Sequence, residues 1–516
     1  MSKNKKILLI YPEYPDTFWS FKHTLKFVAK KAAFPPLGLL TVAAMLPAEW
    51  ELKLVDMNTG RLSDKDIKWA DMVFISAMVV QKDSARNVIK RCKNLGATVV
   101  AGGPLFTTQH QDFPCVDHFV LNEAEVTLPP FLADLEKSCP QRMYSSIVRP
   151  DISTTPLPRW DLVDQSKYSS MVVQYSRGCP YDCEFCDIVV LNGHMPRTKG
   201  REQMLGELDA LYATGWRDSV FIVDDNFIGN KKKLKSEMLP AIIAWSQKRH
   251  FPFSFHTQTS INLADDSELT GLMTRANFNM VFIGIESPNK ESLTECGKSQ
   301  NSSRDLIAAV KKLQHAGLEV QGGFIVGFDS DPLSIFQDII NFVQISGVVM
   351  AMVGLLNAPN GTRLYRRLEG EKRLTGNFSG NNTDMSINFV PKMNVNKLMD
   401  GYRKIVNTIY APSQYYARVK TFLREYRPKR RKISVMKSQN MGAFLRSLWV
   451  LGVQEKERWH FWDLMIWTVF KRPRSFSLSM SMAIYGFHFR KIAEANARKL
   501  DLPAIVILPV KLETLP

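Results

Sequence analysis

Ser176-Arg177-Gly178-Cys179-Pro180-Tyr181-Asp182-Cys183-Glu184-Phe185-Cys186 places three cysteines in eight positions, a CxxxCxxC directly after the strand-like run Met171–Tyr175. Three thiolates on one tight loop can hold three irons of a four-iron four-sulfur (4Fe-4S) cluster and leave the fourth iron open to another ligand. A structural zinc site takes four ligands, usually as two spaced pairs. No second pair follows, because Cys92, Cys115, Cys139 and Cys296 stand singly along the chain and read as small buried residues or surface thiols. Seven cysteines in 516 residues form no disulfide framework, and the clustering of three points to metal chemistry in a reducing compartment.

Downstream of the triad, candidate strands recur at Ser219–Val223, Phe253–Thr257, Val281–Ile285, Glu319–Val326 and Val348–Leu355, with amphipathic helical stretches between them. Counting the strand before the triad makes six. The triad and this succession resemble the radical SAM superfamily, which implies a partial (β/α)6 barrel and S-adenosylmethionine (SAM) chelating the open iron. Barrel sites form at the carboxyl ends of the strands. On that resemblance Asp224, Asp225 and Asn226 are candidates to meet the SAM amino group or ribose, unless the acids merely cap a helix. Glu286 is a candidate for the ribose hydroxyls, and Gly323 and Gly327 belong to a glycine-containing strand beside the adenine.

Upstream, short apolar runs alternate with helical stretches, the pattern of a doubly wound parallel sheet and so of an α/β domain. The runs are Ile7–Tyr11, Leu52–Val55, Met72–Ser76, Thr98–Ala101 and His118–Leu121. A ligand of such a sheet sits beyond the carboxyl ends of its strands, where Asp56, Asn58, Ser76, Gly102, Gly103 and Glu123 lie. Gly102 and Gly103 would let backbone approach a phosphate or a large planar ring, or simply make a turn. A flavin, a nucleotide or a cobalamin would suit the strand set. GxGxxG is absent after the first strand, which counts against NAD. Asp-x-His-x-x-Gly is absent too, so a bound cobalamin would lack a histidine as its lower ligand. His23, just past the first strand, reads as a packing residue rather than a cofactor contact.

With 45% hydrophobic and 23% charged residues the chain is ordinary globular protein, which excludes general disorder, collagen and coiled coil. The net charge of +17 belongs to the tail: residues 401–516 hold 22 Lys+Arg against 7 Asp+Glu. A cationic run, Arg424–Lys432, precedes the apolar, aromatic-rich stretch Trp459–Phe470 and then Lys471-Arg472-Pro473-Arg474. That composition fits a helix lying on an anionic bilayer, or equally one packed on the barrel with a solvated basic edge. A positive strip also attracts nucleic acid. The first apolar run is too short for a signal peptide, and nothing reaches the roughly 18 apolar residues needed to span a bilayer. A cytoplasmic protein is expected, peripheral on the inner face of the membrane if the tail meets lipid.

A cobalamin-type sheet followed by a radical SAM barrel resembles the cobalamin-binding radical SAM enzymes, often called class B methylases. Ala33-Phe34-Pro35-Pro36-Leu37-Gly38-Leu39-Leu40, Gly178-Cys179-Pro180, Val223-Asp224-Asp225-Asn226-Phe227-Ile228-Gly229-Asn230 and the long extension resemble the subgroup containing the hopanoid C-2 methylase. Asn122-Glu123-Ala124-Glu125 departs from the Gly-Glu-rich turn common there. The resemblance implies a cobalamin-binding domain at 1–140, a linker at 141–165, the barrel at 166–375 and a mostly helical basic extension at 376–516. It also implies a mechanism: the cluster reduces SAM to a 5′-deoxyadenosyl radical, which takes hydrogen from an unactivated carbon of a small molecule or lipid. Methylcobalamin then methylates that carbon, with electrons from an external donor such as flavodoxin or ferredoxin. Alternatives are a cobalamin-dependent rearrangement or cyclisation, a nucleic-acid-modifying enzyme, and a cobalamin or redox sensor. Dispersal of Cys92, Cys115 and Cys139 argues against the second cluster of the transfer-RNA enzymes, and the intact triad argues against the sensor.

Overall fold

The structure is a computed structural model that describes residues 4–428 and 438–500. Part of the cationic run, Lys429–Lys432, lies outside them.

Two six-stranded sheets, each wholly parallel, organise the chain. The first holds β1 (Lys6–Tyr11), β2 (Glu51–Asp56), β3 (Met72–Ser76), β4 (Thr98–Gly102), β5 (His118–Val120) and β6 (Met143–Tyr144), in the order β2-β1-β3-β4-β5-β6. Ile7, Leu8, Leu9 and Ile10 are all fully buried, and successive residues feed separate cores on the two faces of the sheet. That two-sided burial is why these strands read as continuous apolar runs rather than alternations. The sixth strand was not expected. It is two residues long, falls in the stretch read as linker, and pairs with β5 at Phe119 and Val120.

The second sheet comprises β7 (Met171–Val173), β10 (Ser219–Ile222), β11 (Ser254–Thr259), β12 (Phe278–Glu286), β13 (Glu319–Val326) and β14 (Ala351–Leu355), ordered β14-β13-β12-β11-β10-β7. A small antiparallel ribbon of β8 (Ser176–Arg177) and β9 (Arg197–Thr198) stands beside it. Outward side chains such as Val281, Ile283, Ile285, Val320 and Phe324 are buried in one large core, whereas Met280 and Phe282 on the opposite face of β12 are only half-buried. The period of two thus separates a wall packed on helices from a less completely buried interior face.

β7 and β14, the ends of this sheet, do not pair with each other, so the barrel is partial. The free edge of β14 is covered by the helix Val395–Ile409 and the residue after it: Tyr402 donates to Val353 O (3.1 Å) and Tyr410 to Ala351 O (2.7 Å). These hydroxyls satisfy carbonyls that would otherwise form an unpaired strand edge. The amino-terminal segment approaches from the other side. Trp19 lies edge-on to Phe282 (5.3 Å between ring centres) and donates to Met352 Sδ at 3.1 Å. Phe18 stacks on Phe489 of the last helix, Phe476–Leu500, at 4.2 Å. His23 rests against His488 of that helix (5.6 Å), and burial lowers its pKa, in keeping with a packing residue.

Candidate active site

Gly178 opens the triad loop with φ +97, and a Cβ there would meet Met195 O at 2.7 Å, so a tight turn against the β8–β9 ribbon requires glycine. The loop is then tied down between its cysteines. Cys179 N–H donates to Gly193 O (3.2 Å), Cys186 N–H to Cys183 O (3.1 Å), and Glu184 N–H to Cys296 O (2.9 Å). Arg367 grips the Glu184 carboxylate with two nitrogens, at 2.8 and 3.1 Å.

The three thiols are half-buried and free. Burial is the main cause raising the pKa of each, and the thiols of Cys179 and Cys183 add to it at Cys186. Thiolates at these positions therefore call for a cation among them. Among the described residues no three His, Cys, Asp or Glu side chains gather closely enough to hold one metal ion. A mononuclear site needs its sulfurs packed about one centre, whereas each cysteine of a triad on a cube binds a different iron. Cys296 supplies no fourth ligand: its buried thiol points to Leu293 O, and burial pushes it up to about 12. Three sulfurs on a pinned loop suit a four-iron cluster with one open corner.

The acids named from sequence divide by what they touch. Asp224 is fully buried and both oxygens are spent on the chain, accepting from Tyr175 N–H (2.8 Å) and Ser176 Oγ (2.6 Å). Burial lifts its carboxyl to about 7 against those bonds. It anchors the strand leading into the triad, a correction to its reading as a SAM contact. Asp225 accepts from Gly178 N–H (3.2 Å) and Asn192 Nδ2 (2.9 Å), which braces the cysteine loop from below. Asn226 exchanges hydrogen bonds with Ser260 at the tip of β11.

Glu286 ends β12 after a register shift, with φ +64, and pairs with Lys298 at 2.5 Å. Glu286 is buried and Lys298 nearly so over Gly284, where a Cβ would stand 2.3 Å from Glu286 Oε1 and 2.6 Å from Lys298 Nζ. Asn301 holds the lysine-bearing loop by donating to Gly284 O and Ile285 O, both at 3.0 Å. Burial works against the Lys298 charge, but Glu286 and then Cys183 outweigh it and raise its pKa. A largely buried cation thus faces both the strand-end carboxylate and the middle cysteine. Gly323 pairs with Gly284 across β12 and β13, and a Cβ at Gly323 would stand 2.9 Å from the Phe282 ring, so both glycines are needed for side chains to lie flat on the sheet. Gly327, at φ +107, donates to Asp331 Oδ2 (2.8 Å) and makes a turn.

At the first sheet most polar strand ends are tied to protein. Asp56 accepts from Asn58 N–H (2.9 Å) and from Tyr168 OH (2.8 Å), and Asn58 in turn accepts from Tyr14 N–H (2.8 Å). Glu123 receives Arg177 at 2.8 Å and Arg197 at 2.8 Å, with Arg149 at 3.7 Å. A buried carboxylate with this many cations is a joint between the sheet and the triad loop, not an open ligand for a cofactor. Gly102 is required by its own sheet, since a Cβ would meet Val120 O at 2.6 Å, and Gly103 (φ +88) lies over Ser76 Oγ. Ser76 and Gly103 keep the tips of β3 and β4 low, as a large flat ligand above β1 and β3, where the strand order reverses, would need.

Lys298, Arg177, Tyr168, Gly284 and Trp19 were not singled out for these contacts. Gly284 carried a signal, standing two residues before a strand-end acid on an apolar strand. The others depend on where loops fold back.

Comparison with known proteins follows the same division. Residues 29–132 match the B12 binding domain, residues 173–343 the Radical SAM superfamily, and residues 362–501 a domain of unknown function, DUF4070. The fold and the triad therefore define an enzyme with a corrin-binding sheet and a radical SAM barrel. An uncharacterized methyltransferase of Synechocystis sp. is 39% identical over 95% of this chain and 92% of its own length. The hopanoid C-2 methylase of Rhodopseudomonas palustris is 34% identical over 72% of this chain and 71% of its own. The solved structure of the cobalamin-dependent SAM radical enzyme OxsB, with aqua-cobalamin bound, shares the fold with a TM-score of 0.63 at 16% identity, covering 97% of this chain and 81% of that one. The chain belongs to the cobalamin-dependent radical SAM methyltransferases, a family whose cofactors are a 4Fe-4S cluster, SAM and cobalamin.

Proposed function

We propose that the protein methylates an unactivated carbon of a lipid-soluble small molecule held in the barrel interior, drawing electrons from a flavodoxin- or ferredoxin-type donor. The observation that carries this reading is the lining of that interior. Phe34 packs on Phe221 (5.2 Å) and His256 (6.1 Å), Phe221 stacks on His256 at 4.8 Å, and Trp19 stands against Phe282. Phe34, Phe221, Met280, Phe282 and Met352 are half-buried rather than sealed in the core, so their faces remain for an apolar guest. Burial lowers the His256 imidazole to about 3, which keeps this ring neutral at any physiological pH. Aromatic rings and thioethers give broad, adaptable contact with a hydrocarbon frame.

When bound, the cluster and SAM supply a hydrogen-abstracting radical and the cobalamin supplies the methyl group; the protein supplies placement and exclusion of water. Cys179, Cys183 and Cys186 would hold the cluster on the pinned loop, and the Glu286–Lys298 pair would stand beside its open corner. Ser76, Gly102 and Gly103 would border the corrin, and Trp19 with the Tyr402 helix would wall the gap in the barrel. The hopanoid methylase among the relatives supports a lipid substrate. The test is anaerobic turnover of lipid extracts with SAM carrying a trideuterated methyl group. A lipid product carrying the label is expected. Reductive SAM cleavage with an unlabelled, rearranged product would overturn methyl transfer, and a labelled water-soluble product would overturn the lipid.

A further inference from the structure

The helix Arg458–Lys471 is apolar on two sides. Phe461, Leu464, Met465 and Thr468 recur at helical spacing and are buried against the rest of the extension. On the outward side Trp459 is 72% exposed, Ile466 55%, Val469 50% and Phe470 79%. A helix apolar all round belongs either in a core or against lipid, and here only one side has a core. The neighbouring helix Ser438–Trp449 repeats the pattern: Met441, Leu445 and Trp449 stand one turn apart and all are exposed, followed by exposed Val453. The helical turn Val450–Gln454 that continues it meets the aromatic helix where Trp462 Nε1 donates to Gly452 O at 2.9 Å.

We infer that this pair of helices is a docking surface for an anionic bilayer. Charge decides the partner. Lys456 and Arg458 are exposed at one end of the aromatic helix, Lys471 and Arg474 at the other; Asp463 is paired with Lys420 (2.6 Å) and Glu455 with Arg490, which leaves exposed Glu457 against four exposed cations. A second copy of the chain would bring two cationic rims together, whereas a surface of anionic headgroups neutralises them. Length decides the mode. At 14 residues the helix spans about 21 Å, short of a bilayer's roughly 30 Å hydrocarbon core, and no helix among the described residues is long and apolar enough to cross a membrane. It lies in the interface, with Trp459 and Phe470 at the depth where aromatic rings partition. This surface stands independently of methyl transfer, because binding is read without turnover.

The test floats the full-length, cofactor-loaded protein with vesicles of phosphatidylcholine alone or mixed with phosphatidylglycerol. Co-migration with the mixed vesicles, weakened by salt and accompanied by a blue shift of tryptophan emission, is expected. The variant Trp459→Ser/Ile466→Ser/Phe470→Ser should bind them about tenfold more weakly or worse, with cluster and corrin absorbance and melting temperature unchanged. Lys471→Glu/Arg474→Glu should remove the salt-sensitive part while leaving the aromatic stripe. Equal binding to neutral and anionic vesicles, or by the triple variant and the parent, would overturn the inference. So would a parent that is dimeric and a triple variant that is monomeric without vesicle binding, since the face would then join copies of the chain. Vesicle binding that begins only after deletion of residues 501–516 would also overturn it, showing the stripe to be covered by the run Ala504-Ile505-Val506-Ile507-Leu508.

Discussion

The two parallel sheets have the same number of strands and use their carboxyl ends in opposite ways. In the amino-terminal sheet the polar tips point into the neighbouring domain and are consumed there, Asp56 by Tyr168 and Glu123 by Arg177 and Arg197. In the barrel the central tips are stripped to Gly284 and Gly323, and the one carboxylate left over them, Glu286, is balanced by Lys298. A polar residue at a strand end is thus a ligand candidate only until the partners around it have been counted. The first sheet spends its tips on joining itself to the barrel; the second lays one ion pair over a pair of glycines at its centre.

Breaking the loop itself should have the largest effect. Cys183→Ala is expected to abolish both the brown cluster absorbance and reductive SAM cleavage while leaving corrin binding to the first sheet measurable by its visible spectrum. Parent-like SAM cleavage would remove the cluster from the account. Next comes the joint between the sheets. Arg177→Met leaves the buried Glu123 and Glu125 each short of a cation, a loss on the order of 3–5 kcal/mol for a broken buried pair. It should appear as a lower melting temperature together with faster proteolysis between residues 145 and 165. A variant that melts with the parent would make the joint incidental. The smallest effect sharpens the contrast at the barrel's central tips. Gly284→Ala adds a methyl group that must displace the Glu286–Lys298 pair and should weaken SAM binding about tenfold, near 1.4 kcal/mol, in equilibrium dialysis with cobalamin content unchanged. Unaltered SAM affinity would place SAM away from that pair.

Much of this architecture was legible before any coordinates. Met72–Ser76 and Glu319–Val326 are strands over the expected residues, and the other expected strands appear with ends shifted by up to three residues. Runs buried on both faces cannot hide their apolar character. β6 escaped because two residues carry no periodicity, and β12 extends past its expected ends because Asn279 is exposed and Glu286 turns out of the strand at positive φ. The triad was legible because its chemistry lies in local spacing. Asp224 was misread because its partners, Tyr175 N–H and Ser176 Oγ, follow β7 at separations of 49 and 48 residues, brought alongside by the pairing of β7 with β10 that no local pattern encodes. Lys298 and Arg177 went unnoticed for the same reason: a lone cation becomes informative only when the path of the chain delivers it to a carboxylate. The tail's composition left a packed helix and a lipid-facing helix equally open, and the Arg458–Lys471 helix has one buried side and one exposed apolar side.

His488 Nε2–H donates to Phe18 O (3.0 Å), across 470 residues of sequence. During synthesis the segment that leaves the ribosome early must wait for nearly the whole polypeptide before its companion arrives. The flank of the barrel that this segment covers is therefore walled only once the helix Phe476–Leu500 has been made.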